Sequence, residues 1–74
     1  MKMFISELEK LMYDSFEKKV LVIDKQGNTH KSFCKMFTSR FDEDRGISSI
    51  ALDDGSWLYE DQIESIEILD DNEE

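Results

Sequence analysis

The chain has 74 residues, with 18 acidic against nine basic side chains, a formal net charge of −9, 39% hydrophobic residues and 11% aromatic residues. One cysteine excludes a disulfide scaffold, and no apolar run approaches the ~20 residues of a membrane span. The length allows one small domain, and the density of aromatic and β-branched residues argues against intrinsic disorder.

Met1 to Ile5 holds one lysine, and Glu7 and Glu9 interrupt the next stretch, so no secretory signal is expected. Residues 6–18 read as a helix, because Ile5, Leu8, Leu11, Met12 and Phe16 form one stripe at helical spacing. Ser6 with Glu9 three residues later fits a capping box. Lys18 and Lys19 fit a helix C-terminus, where cations are favoured. The stripe is expected to cover the open end of a core; a partner-binding helix is the alternative.

After Lys19 the period changes. Val20-Leu21-Val22-Ile23 is a continuous, mostly β-branched run and reads as a strand. Residues 24–28 form a turn in which Gly27 or Asn28 can take positive φ. Thr29 to Phe41 alternates as one long strand, or two with a bend. Phe33, Phe37 and Phe41 share one parity, and Cys34 and Met36 share the other. Residues 41–46 are a charged loop. Residues 47–52 are the next strand, with Ile50 and Leu52 on one face. Asp53-Asp54-Gly55-Ser56 predicts a hairpin with a type I′ turn. Residues 57–59 form a strand, residues 60–62 a turn or one 3₁₀ turn, and residues 63–69 a closing strand. Residues 70–74, four of them acidic, read as a solvated tail. One helix followed by about five short strands over residues 1–69 predicts a mainly β domain, a small five-stranded barrel over residues 19–69.

This layout is similar to Sm-like and SH3-like small barrels of bacteria. The resemblance covers residues 18–69. It rests on Asp24-Lys25-Gln26-Gly27 before the long strand, on Ile47 to Leu52, and on Leu58-Tyr59-Glu60-Asp61-Gln62-Ile63-Glu64-Ser65-Ile66. Sm-like proteins often carry a second glycine where the long strand bends, and here Ser32 takes that place. Their RNA-binding members carry an Asp and an Asn after the long strand, and a basic residue before a Gly near the last hairpin. Here Asp42-Glu43-Asp44 has no Asn, and Trp57-Leu58-Tyr59 has neither basic residue nor Gly, so those roles do not carry over. The antiterminators that bind the Rho termination factor resemble this chain in layout and charge sign. That resemblance implies binding to a basic protein.

Catalysis finds little support. His30 and Cys34 lie four apart, roughly 13 Å along a strand at ~3.3 Å per residue, whereas a nucleophile and its base need about 3 Å. Each is read as structural or incidental. The three glycines are isolated turn residues, without a phosphate-binding pattern. Asp42, Asp44 and Gly46 match a calcium loop only in part, lacking the third early ligand and the distal Glu. The expectation is no catalytic residue, no cofactor and no metal, hence not an enzyme. The lone thiol fits a reducing cytoplasm.

Charge carries the strongest signal. The first 45 residues hold nine basic and eight acidic side chains, net +1, whereas residues 46–74 hold ten acidic and no basic ones, net −10. The acidic half is either a solvated face or a surface that docks on a basic partner. Trp57 and Tyr59 are either core and rim of the barrel or an exposed anchor. The expected function is a small acidic interaction module, a regulator or inhibitor that imitates the charge of a nucleic acid. Its candidate partner-binding residues are Asp53, Asp54, Trp57, Tyr59, Glu60, Asp61 and Glu64. The alternative is an Sm-like RNA-binding oligomer that pairs edge strands between subunits. Lys18, Lys19, Lys25, Lys31, Lys35, Arg40 and Arg45 would supply the basic patch and Phe33, Phe37 or Tyr59 the stacking, although the overall field opposes a polyanion.

Overall fold

The structure is a computed structural model, and it describes residues 6–69. Met1 to Ile5 and the acidic tail 70–74 lie outside the described residues. The helix α1 spans Glu7–Asp14 and is succeeded by five strands: β1 Lys19–Asp24, β2 Thr29–Thr38, β3 Ser49–Leu52, β4 Trp57–Tyr59 and β5 Ile63–Leu69, with a 3₁₀ turn η1 at Glu60–Gln62. The domain is mainly β with one N-terminal helix, and its strands form one antiparallel sheet in the order β4-β3-β2-β1-β5.

The helix is shorter than the 6–18 read from sequence. It stops at Ser15, whose hydroxyl donates to the Leu11 carbonyl and whose N–H serves the last turn. Glu17 then takes φ 65°, a left-handed conformation that turns the chain into β1. Lys18 and Lys19 therefore leave the helix end, and Lys19 opens β1. Half of the expected capping box forms, with the Ser6 hydroxyl accepting from the Glu9 N–H at 3.0 Å. The Glu9 carboxylate does not return to Ser6. It turns inward and is 1% exposed. Of the apolar stripe, Met12 is fully buried and Leu8 packs on the core, while Leu11 and Phe16 stay partly exposed. The helix docks on the domain, packing against β5 and η1, with Tyr13 edge-on to Phe37 at 5.5 Å.

β2 is shared between two ladders. Its first half pairs with β1, from Thr29 opposite Ile23 to Phe33 opposite Lys19. Its second half pairs with β3, from Cys34 opposite Leu52 to Thr38 opposite Ser49. The register slips between Cys34 and Met36, a bulge that bends the strand and reverses its parity. Cys34 points into the core before the bulge, and Phe37 packs on the core after it. This explains why the sequence is apolar at both parities. The bend sits at Lys35, three residues past Ser32. The strand stops at Thr38, leaving Phe41 outside it and 80% exposed. β3 starts at Ser49 rather than at position 47.

The core arises from strand alternation. Val20 and Val22 of β1 lie opposite Ile68 and Ile66 of β5, and Ile50 of β3 lies between Phe37 and Leu58. Leu52, Ile63 and Met12 complete it.

Both hairpins use one turn geometry. The Gly27 N–H donates to the Asp24 carbonyl, and the Asp24 N–H to Asn28; likewise Gly55 donates to Leu52, and Leu52 to Ser56. Positive φ falls on Gly27 (90°) and Gly55 (94°) alone in these turns. The β3–β4 loop is therefore a three-residue turn with a glycine bulge, not the expected type I′ turn. Type I′ needs positive φ at both central residues, here Asp54 and Gly55, and only Gly55 takes it.

Candidate interaction surface

The outer face of β2, β3 and β4 is built from two cross-strand rows. Met36 lies opposite Ala51, and Ala51 opposite Trp57. Thr38 lies opposite Ser49, and Ser49 opposite Tyr59. The central strand thus presents two small residues between larger flanking ones. The result is a trough of about 450 Å³ lined by Lys35, Met36, Thr38, Ser49, Ala51 and Trp57. Met36 is 52% exposed and Trp57 61% exposed, and such an apolar pair on a sheet face stands out among solvated neighbours. Trp57 stacks on Tyr59 at 6.4 Å with an interplanar angle of 21°. The Arg45 guanidinium lies over the Tyr59 ring, 4.5 Å from its centre, and is held by Asp61 at 2.7 Å. Trp57 is therefore an exposed side chain rather than core, and Tyr59 is its half-buried neighbour.

The other candidate residues separate into groups. Asp53 and Asp54 form the β3–β4 turn, at the Trp57 end of the trough. Glu60 accepts a hydrogen bond from the Ser6 hydroxyl at 2.6 Å and so anchors the helix. Asp61 sits with Arg45. Glu64 is exposed on β5, the end strand of the sheet opposite β4. The structure thus brings Trp57, Tyr59 and Asp61 into one chain of contacts through Arg45, with Asp53 and Asp54 at its end. Glu60 faces the helix instead, and Glu64 lies on a different strand edge.

Two polar clusters escape a reading by sequence spacing. In the first, His30 joins the two hairpin turns. Its Nε2 is 3.1 Å from Asp24 Oδ2 and its Nδ1 is 3.1 Å from Ser56 Oγ, with Asp54 Oδ2 at 4.0 Å from Nδ1. With the proton on Nε2, the ring donates to Asp24 and accepts from the Ser56 hydroxyl. His30 is therefore a tie between turns, not incidental. Its hydrogen bond, and after it those of the Asn28 and Gln26 N–H groups, holds the Asp24 carboxyl below its ordinary range. The Ser56 N–H and hydroxyl, and then His30, do the same for Asp54. In the second cluster, buried Glu9 accepts from Arg40 at 2.6 and 2.7 Å and from Ser48 Oγ at 2.6 Å. The signal for the trough was present in β3, where Ser49 and Ala51 alternate with Ile50 and Leu52. Nothing in the spacing announced the two clusters, because the contacts that His30 and Glu9 make within them join residues between 6 and 39 positions apart.

Among the described residues no group of three or more His, Cys, Asp or Glu side chains is placed to hold a metal ion, and no helix is long and apolar enough to cross a membrane. Cys34 is buried, and burial pushes its thiol pKa up. No protein-family model matches the chain, and neither a curated protein nor a solved structure matches it.

Proposed function

We propose that the chain is a non-enzymatic interaction module of the cytoplasm that binds a basic protein partner through its acidic C-terminal half, acting as a nucleic-acid-mimicking regulator or inhibitor. The observation that carries this reading is the state of its carboxylates. Asp53, Glu64 and Glu67 are exposed, and their carboxylates accept no hydrogen bond and form no ion pair among the described residues, so their charge is available to a partner. The strand order, with a 3₁₀ turn joining β4 to β5, supports the resemblance to small Sm-like and SH3-like barrels.

The competing reading, an Sm-like RNA-binding oligomer, draws on the stacked Trp57–Tyr59 pair as a base platform. The net charge of −9 opposes it by repelling phosphate. A tagged pull-down from host lysate separates the two. The expected result is a basic protein retained at low salt, lost at high salt, and lost when Asp53, Glu64 and Glu67 are changed to Lys. Binding of protein that ignores both salt and these reversals, or recovery of RNA bound directly by a multimer, overturns the reading.

A further inference from the structure

The trough on the outer face of β2–β3–β4 is apolar along its middle and acidic at both ends. Its floor and apolar walls are Ala51, Met36 and Trp57. At one end the Ser49 hydroxyl donates to the Glu43 carboxylate, which brings the acidic loop of Asp42, Glu43 and Asp44 to the trough. At the other end lies the Asp53–Asp54 turn. Both loops flank the four residues of β3, so the two acidic ends stand roughly 13 Å apart at ~3.3 Å per residue. Of the nearby cations, Arg45 is engaged by Asp61 and Tyr59, and Lys35 lines one wall.

We propose that this trough receives a linear segment of a partner protein in which one large apolar side chain is flanked on both sides by Lys or Arg. The inference rests on the reading of the chain as a binder of a basic protein, and names the feature that would make such binding selective. An apolar side chain seated over Ala51 between Met36 and Trp57 leaves water. Flanking cations about two residues to either side reach the two acidic loops when the segment is extended. A single-stranded nucleic acid has aromatic partners here, but its phosphates would meet carboxylates at both ends of the trough, so the charge arrangement favours the peptide.

The test uses the full chain, whose single tryptophan is Trp57. The probe is the blocked peptide Lys-Arg-Ser-Leu-Ser-Arg-Lys, with two controls: Leu replaced by Ser, and all four cations replaced by Glu. The expected result is a change in Trp57 emission with the parent peptide at low salt. Affinity should fall at least about tenfold with the Leu-to-Ser peptide, and the Glu peptide should not bind. Ala51→Leu, which fills the trough, should weaken the parent peptide to a similar degree. Met36→Gln, neutral and at an exposed position, repeats the test should Ala51→Leu disturb folding. If the Leu-to-Ser peptide binds as well as the parent, and both are lost on reversing Asp42, Asp44 and Asp53 to Lys, the trough proposal falls while the acidic-surface reading stands. No binding by either cationic peptide at low salt also overturns the trough. Binding of a uridine oligomer that Ala51→Leu abolishes overturns it in favour of nucleic acid.

Discussion

Glu9 and Arg40 show how much single residues contribute here. A carboxylate 1% exposed is tolerated when it is satisfied, and Arg40 and Ser48 both donate to Glu9. Arg40→Ala would leave that charge buried with fewer partners. The expected cost is about 3 kcal/mol, which lowers the melting temperature on the order of 15 °C for a domain this small. Glu9→Leu with Arg40→Leu should recover much of the loss, measured by thermal denaturation, because an apolar pair needs no desolvation of charge. His30 acts on the pH dependence of stability. Asp24 and Asp54 both have folded pKa values below their unfolded ones. Their stabilisation is therefore complete above the ordinary carboxylate value of about 3.9 and is lost as pH falls through the lower folded values. His30→Ala should raise the Asp24 pKa toward its ordinary value, read by carboxyl NMR titration, and Asp24→Asn should flatten the decline in urea midpoint on the acid side. An unchanged Asp24 titration in His30→Ala would show that the turn's backbone N–H groups alone set its pKa.

At the scale of elements, the joints are the informative positions. Glu17 is, among the described residues, the non-glycine residue with positive φ, and a side chain there costs about 1–2 kcal/mol relative to relaxed backbone. Glycine removes that strain but adds unfolded-state freedom. Glu17→Gly should therefore stabilise by about 0.5 kcal/mol, seen as a higher urea midpoint with an unchanged slope. A lower midpoint would mean that the Glu17 side chain contributes more than its backbone strain removes. The helix, the five strands and the two glycine turns were legible in the sequence because they obey local periodicity and local turn chemistry. The helix end, the parity switch at Lys35 and the turn type were not. Each depends on contacts that a segment makes across the fold: the Cys34 carbonyl accepting from Glu17 at 2.7 Å, Leu52 opposite Cys34, and the Asp53 N–H donating to the Phe33 carbonyl at 2.9 Å.

For the molecule as a whole, charge and docking combine. Of the ten acidic residues after Gly46, six lie among the described residues. Asp54, Glu60 and Asp61 are engaged by His30 and Ser56, by Ser6 and by Arg45. The exposed remainder sets the expected partner response. Reversing Asp53, Glu64 and Glu67 to Lys changes the net charge from −9 to about −3 and should slow association with a basic partner by about tenfold or more at low salt, an effect that shrinks at high salt. Association rates by surface plasmon resonance at two salt concentrations check this. Glu60 is omitted from that set because its contact with Ser6 ties the helix to η1, and reversing it would test folding as much as binding.

Residue type and neighbours a few positions away are enough to set the charge split, the order of helix and strands, the glycine turns and the apolar alternation that builds the core. The burial of Glu9, the bridge that His30 makes between two hairpins, and the trough lined by Met36, Ala51 and Trp57 exist only once the chain has folded. Those partnerships come from ladder register, and one bulged residue in β2 is enough to exchange which side chains face the core and which face outward.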